Sequence, residues 1–565
     1  MSETHLTFSG CAGWLHLPDS ECRSTAVVLC PPFGAEWLWV YRSYRRLSQA
    51  LCAQGFVVLR FDYRGTGDSI GDESTAGGAQ AWIESTHAAA DMLKARLDVQ
   101  SFAFFGLRLG ATIAAVAAAG RSDVQSLVLW APYASGRQFL REARAFAALR
   151  DTPVDSLISA GGFIIPPELE ATLPDLKLPK LVPGCRAMLL LQRDDLATDP
   201  TPHQQFSEHI ADVVLSDVGG YERMMRDAYD SAPPLAAIAA VTEWMVSRHP
   251  ECGTVIPRPP EEEPLVGDDF VEESRRIGDD GRIFGILTSP RATLRRKSRI
   301  VILPNVGSNH HIGPARLMVT LARTLARDGY TVLRFDVGGL GDSTPPIGIA
   351  ENTLYAMESQ QDAVAVMNYL DADFAPDGFV FAGLCSGAYL SYHTAVSDPR
   401  VSALILINIV TFRWEPGDTV EAYIQRQFKG TAFYLRAWRD PAVWRRALQG
   451  DLNARGIIAS VTRRTVARSV TFLTRIVTGN NSDVHGAFRR LAARGASAFL
   501  VFGADDAGLD EVERVMRLPA RQIAEMPGIE LSVVQGADHT FTVPPARAKL
   551  IQQVQHFLDD RRQVG

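Results

Sequence analysis

The sequence predicts two α/β domains in tandem, each a mostly parallel sheet flanked by helices, the second with a helical cap. Three observations predict this. The chain repeats one strand–helix order twice, its strands are short unbroken apolar runs, and its 565 residues exceed one ordinary core. At about 150 residues per domain two to four domains are allowed, and two large doubly wound ones fit.

The repeat is legible element by element. An apolar strand ending in a Pro/Gly turn, Ala26 to Gly34, returns as Arg299 to Gly307. An amphipathic helix follows each, Tyr44 to Leu51 and Leu317 to Leu325. Next comes a strand with a glycine-rich turn, Val58-Leu59-Arg60-Phe61-Asp62 running to Gly67-Asp68-Ser69. Its counterpart is Val332-Leu333-Arg334-Phe335-Asp336 running to Gly341-Asp342-Ser343. After another helix, a third strand ends in Gly106 to Ala111 and in Gly383 to Ala388. The fourth strands are Ser126–Trp130 and Ala403–Ile407. Between the copies, the Pro- and acid-rich run from Pro250 to Asp269 reads as a solvated linker. The expected domains are therefore residues 1–249 and 270–565, joined by 250–269.

Composition narrows the function class. A net charge of -7 gives no case for nucleic acid or an anionic membrane as the main partner. The start Met1-Ser2-Glu3-Thr4-His5 lacks a signal-peptide pattern, and no apolar run reaches the ~20 residues of a membrane span. Seven cysteines without a CxxC pair read as reduced thiols, so a cytoplasmic protein is expected, with neither metal nor cofactor. A homo-oligomer is compatible with the sequence.

The turn Gly383-Leu384-Cys385-Ser386-Gly387 carries the chemistry. Ligands of parallel α/β sheets gather at the carboxyl ends of the strands. A sharp strand-to-helix turn there exposes its central side chain and requires small residues two before and two after. Gly383 and Gly387 meet that demand around Cys385. A frame centred on Ser386 puts Leu384 at a crowded position.

On these residues both halves resemble the α/β-hydrolase superfamily, whose elbow reads Gly-x-nucleophile-x-Gly and whose order is nucleophile, acid, histidine. The Gly-x-Cys-x-Gly form is similar to dienelactone hydrolases, polyhydroxyalkanoate synthases and thioesterase-like cyclases. The Gly-Leu-Arg-Leu-Gly elbow also resembles hydrolase-like proteins found beside bacterial exosortase systems. The resemblance implies an acid in Gly503-Ala504-Asp505-Asp506, with Asp506 preferred to Asp505 and Asp538 ranked third. It implies His539 as the base after the last strand. His539 then takes the thiol proton, or forms an imidazolium–thiolate pair with Cys385, while Asp506 fixes its tautomer. Two backbone donors are expected for an oxyanion, the Ser386 and Val306 N–H groups. Asn305 stands where a histidine is common in the superfamily. His310 and His311 either line the pocket or stand as exposed loop residues.

The first copy puts Arg108 at the nucleophile position, and a guanidinium is neither nucleophile nor base at pH 7. An acid remains at Asp195, whereas the histidine position falls on Tyr221, Glu222 or Arg223. A catalytically inactive domain is expected. Arg108 either pairs with Asp195 or Glu222, or forms an anion site for a carboxylate or phosphate.

From about Thr411 to Gly495 the second copy carries an aromatic- and arginine-rich insertion, read as the helical cap. Its positive charge is either solvated or suited to an acyl carrier protein or a coenzyme A phosphate. A thiol nucleophile favours acyl thioester substrates, because the acyl-cysteine stays activated. The expected function is an acyltransferase, cyclase or thioesterase. An ester or lactone hydrolase is the alternative, and a non-catalytic scaffold is a third reading.

Overall fold

The computed structural model describes residues 2–19, 22–72, 74, 77–97, 99–149, 158–254, 260–415, 418 and 483–560. Each half of the chain builds a mostly parallel sheet flanked by helices, as the repeat predicts.

In the first half the strands are β1 (Ser2–Phe8), β2 (Cys11–Leu17), β3 (Cys22–Arg23), β4 (Thr25–Cys30), β5 (Val58–Phe61), β6 (Ser101–Leu107) and β7 (Val124–Trp130). They continue as β8 (Ile158–Ala160), β9 (Phe163–Ile165), β10 (Ala187–Leu191), β11 (Asp212–Ser216) and β12 (Glu251–Thr254). The main sheet runs β1-β2-β5-β4-β6-β7-β10-β11. Strands β4 to β7, β10 and β11 pair in parallel, and β4, β6 and β10 are buried along their whole length and mostly apolar. That is the composition a sheet covered by helices on both sides demands. The antiparallel pair β1–β2 carries no repeat signal, and the sequence reading did not identify it.

The second half supplies β13 (Leu265–Val266), β14 (Phe270–Ile277), β15 (Ile283–Pro290), β16 (Arg299–Pro304) and β17 (Thr331–Phe335). It goes on with β18 (Gly378–Leu384), β19 (Val401–Ile407), β20 (Ser497–Gly503) and β21 (Ile529–Val534). Within residues 250–269, β12 pairs with β3 at one end and β13 with β14 at the other.

The chain forms two compact units, and they do not divide at the repeat boundary. One is Met1–Lys297 with Gly307–Asn352; the other is Ser298–Val306 with Thr353–Gly565. Within the first unit Ile312 and Val319 join the apolar cluster of the first sheet. A buried ion-pair network binds the two glycine-rich turns reciprocally. Arg60 meets Asp342 at 2.5 Å, and its counterpart Arg334 meets Asp68 at 2.7 Å. Glu272 holds Arg334 at 2.9 Å and Arg323 at 2.6 Å. Arg316 donates to the carbonyls of Gly67, Ser69 and Gly71 at 2.6, 2.5 and 2.7 Å. Burying so many charges is tolerated only because each has its partner.

The second unit carries the parallel run β16-β18-β19-β20-β21. Of the cap, residues 416, 417 and 419–482 lie outside the described residues; the helix Val484–Ala493 follows them. No helix among the described residues is long and apolar enough to cross a membrane.

Candidate active site

Strand β18 is buried along its whole length and delivers the chain into the helix Ser386–Ser397 with Cys385 at the turn. The turn costs backbone strain, since Cys385 sits at φ 56° and ψ -114°, a region worth about 1–3 kcal/mol for a non-glycine residue. It is held by the Cys385 N–H donating to the Ile407 carbonyl at 3.0 Å and by the Tyr389 N–H donating to Cys385 at 3.1 Å. A Cβ on Gly383 would lie 2.2 Å from the Gly387 backbone, so the small residue is obligatory. Ser386 is the first residue of the helix and does not occupy the apex.

Cys385 is partly exposed, whereas Cys11, Cys22, Cys30, Cys52 and Cys185 are buried. Burial raises the Cys11 thiol to about 11 and the Cys30, Cys52 and Cys185 thiols to about 12. These are inert core thiols near neutral pH.

His539 follows β21, and its Nδ1 lies 2.5 Å from Asp506 Oδ2. The other carboxylate oxygen of Asp506 accepts the Gly508 N–H at 2.7 Å, which orients the carboxyl group from behind. Asp538 instead accepts the Thr542 N–H at 2.6 Å and serves the turn that follows. Burial disfavours a charged His539 ring. The Asp506 carboxylate, and after it Cys385, outweigh burial and hold its pKa well above the usual value. Replacing Asp506 by asparagine removes the largest raising influence. The His539 titration midpoint, followed by NMR with selective histidine labelling, is expected to fall in Asp506→Asn. An unchanged midpoint contradicts this account. The sign fixes a stability window as well. The charged ring stabilises the folded state fully below its unfolded value of about 6.5, and this is lost as pH rises through the folded value.

The loop after β16 presses on the first turn of the elbow helix: a Cβ on Gly387 would lie 3.0 Å from the Asn305 carbonyl oxygen. Asn305 and Val306 are both buried, 2% exposed each. An aromatic wall borders the thiol on another side. The Tyr355 hydroxyl is 3.8 Å from Cys385 Sγ, and the Tyr355 ring stacks on Trp414 at 4.2 Å and meets Tyr389 edge-on at 5.1 Å. Tyr355 has φ 59° and comes from a loop with no motif, so nothing in the sequence marked it.

The same elbow geometry occurs in both halves. A family model described as "Alpha/beta hydrolase family" matches residues 300–550, and one described as "Serine aminopeptidase, S33" matches residues 26–160. The chain carries two α/β-hydrolase domains. No curated protein matches it in sequence. Solved structures similar to it include an α/β serine hydrolase without lid from Xanthomonas campestris, 18% identical with TM-score 0.30, the match covering 45% of this chain and 97% of that one. Est1E from Butyrivibrio proteoclasticus is 16% identical with TM-score 0.33, covering 44% and 99%. A Pyrococcus furiosus esterase is also 16% identical with TM-score 0.33, covering 52% and 92%.

In the first hydrolase domain Arg108 keeps the strained elbow, with φ 57° and ψ -121°. Its guanidinium does not reach Asp195 or Glu222. It pairs with Glu36 at 3.2 Å, with Glu142 and with the Tyr133 hydroxyl, and it stacks over the Tyr133 ring at 4.4 Å. Two carboxylates balance the one cation, which leaves no charge for an added anion. Asp195 pairs with Arg193 at 2.6 Å, and Tyr221 is the buried residue at the histidine position. Arg108→Cys is therefore expected to give a thiol at position 108 that iodoacetamide alkylates no faster than free cysteine. Faster alkylation at position 108, read by peptide mapping, contradicts this.

His310 and His311 do not stand exposed. Both are buried in the first compact unit, 2% and 1% exposed. His310 stacks on Tyr41 at 3.7 Å, and burial followed by the His311 charge lowers its pKa to about 3. His311 bridges Asp68 at 2.7 Å and Asp336 at 2.8 Å. Burial opposes its charge, but these two carboxylates outweigh it and raise its pKa to about 10.

Proposed function

We propose that the second hydrolase domain processes acyl thioesters through an acyl-Cys385 intermediate. The observation that supports it best is the 2.5 Å contact of Asp506 Oδ2 with His539 Nδ1, in the domain whose elbow presents the partly exposed Cys385 thiol. In this reading the Cys385 sulfur attacks the thioester carbonyl, and the Ser386 and Val306 N–H groups hold the tetrahedral oxyanion. Collapse expels the leaving thiol, which takes its proton from His539, and leaves a new thioester on Cys385. His539 then accepts a proton from water or a second nucleophile as that group attacks the acyl-cysteine, and the bond from the acyl carbon to the Cys385 sulfur breaks, the departing sulfur taking the proton back from His539 as the acylated product leaves. Exchange between two thioesters is nearly balanced in energy, which suits a cysteine better than ester hydrolysis does. The arginine-rich cap suits a phosphate-bearing acyl carrier, either coenzyme A or a carrier protein.

Mixing the protein with acyl-pantetheine surrogates and weighing it tests the reading. An acyl mass on Cys385, absent in Cys385→Ala, is expected. Absence of an adduct at every chain length overturns it. Ester or lactone hydrolysis is the competing enzyme reading. It predicts that Cys385→Ser keeps substantial activity and that oxygen esters turn over as well as thioesters.

A further inference from the structure

We infer that Asn408 is a positioning residue that locks the acid loop and the histidine loop of the second domain into catalytic register. Asn408 follows β19 and is completely buried. One amide spans the two loops. Its Oδ1 accepts the Gly503 N–H at 2.8 Å, and its Nδ2 donates to the His539 carbonyl at 2.7 Å. Gly503 opens the turn that carries Asp506, whose N–H donates back to the Gly503 carbonyl at 3.1 Å. The two ends of the clamp are therefore the backbone supports of the two groups that must meet, Asp506 Oδ2 and His539 Nδ1.

The position is built for this task. Asn408 has φ 43°, and asparagine is among the few non-glycine residues that tolerate the left-handed region. Its own N–H donates to the Val501 carbonyl at 2.9 Å, which fixes the backbone from which the amide reaches out. The acid loop has no slack there. A Cβ on Gly503 would lie 2.9 Å from the Ala537 carbonyl oxygen, and one on Gly508 would lie 2.7 Å from the Ile409 carbonyl oxygen.

The first domain provides an internal control. Its equivalent residue, Ala131, keeps the same strained backbone at φ 45° and the same bond, its N–H donating to the Leu191 carbonyl at 2.9 Å. The amide side chain is missing in the copy that has also lost its nucleophile and histidine. The backbone turn thus belongs to the fold, while the amide accompanies the triad.

The inference rests on the triad reading given above, but its test does not depend on finding a substrate. Asn408→Ala removes both bonds of the clamp. Asn408→Asp keeps an acceptor for the Gly503 N–H and loses the donor to His539. A core variant, Leu406→Val, with a comparable fall in Tm serves as the stability control. In both Asn408 variants the iodoacetamide reaction of Cys385 is expected to slow by up to about 100-fold, the scale of a catalytic contact misplaced by about 1 Å. The His539 titration midpoint in the same NMR experiment is expected to fall in Asn408→Ala and to stay unchanged in Leu406→Val. Asn408 variants that match Leu406→Val in both alkylation rate and midpoint overturn the inference and leave Asn408 a packing residue. A wild-type protein that acquires no acyl group yet shows the expected response to Asn408 overturns the acyl-transfer reading alone.

Discussion

Cys385→Ala is expected to lower thioester turnover by about 10⁴-fold or more, the scale on which enzymes lose rate when a nucleophile is removed from a triad acting as a unit. His539→Ala should cost nearly as much, and the double variant little more than either single one, because the three groups perform one proton transfer between them. Asp506→Asn should cost less than His539→Ala, since the base remains but loses its orientation. Additive losses in the double variant, measured as kcat/KM, contradict a shared mechanism. Retention of more than a tenth of the activity by Cys385→Ala contradicts the nucleophile assignment outright.

Asp68→Asn is expected to destabilise the first compact unit strongly, although Asp68 has no part in the proposed chemistry. Its carboxylate is the counter-charge of both Arg334, at 2.7 Å, and His311, at 2.7 Å, and all three side chains are buried. Breaking a buried pair by removing one partner leaves an uncompensated charge and costs about 3–5 kcal/mol. A chain of two compact units need not unfold in one step, so the loss is read from the urea midpoint of the transition that responds to Asp68. A shift worth less than about 1 kcal/mol, the range of exposed pairs, contradicts the burial argument. The pH dependence has a defined sign on each side. Burial raises the Asp68 carboxyl, but His311 and Arg334 outweigh it and hold it well below the usual range. Its contribution is present above the unfolded value of about 3.9 and is lost as pH falls through the folded value. His311 contributes fully below its unfolded value of about 6.5 and ceases to as pH rises through about 10. The wild-type unit should therefore be most stable between these limits, and Asp68→Asn should flatten both edges.

The parallel strands were legible in the sequence because each is a short apolar run, and the duplication displayed each twice. The elbow was legible because its two glycines answer a crowding demand that no other residue meets. Asp506 and His539 were found through their order along the chain, and their 2.5 Å contact agrees with that order. Other features carried no such mark. The antiparallel edge strands β1, β2, β14 and β15 alternate too irregularly to stand out. Asn408 and Tyr355 are single residues in loops, and their roles arise only when distant segments meet. The partners of Arg108 were misread because Asp195 and Glu222 stand at the acid and histidine positions of the repeat, while folding brought Glu36 and Glu142 to it. His310 and His311 looked like loop residues because charged clusters rarely occupy interiors, and the neutralising Asp68 lies 243 residues away from His311 in the chain.

The crossed pairs Arg60–Asp342 and Arg334–Asp68 also constrain how this sequence can drift. Duplicated segments ordinarily diverge independently, each free to accumulate change while the other preserves the ancestral task. Here each copy of the glycine-rich turn supplies the counter-ion of the other. A change in one is felt first as a charge defect in its sibling. The first copy carries Arg108 at its elbow and Tyr221 at the histidine position, yet its Asp68 is not free to vary in the same way. Divergence at the elbow and constraint at the glycine-rich turn thus coexist within one copy.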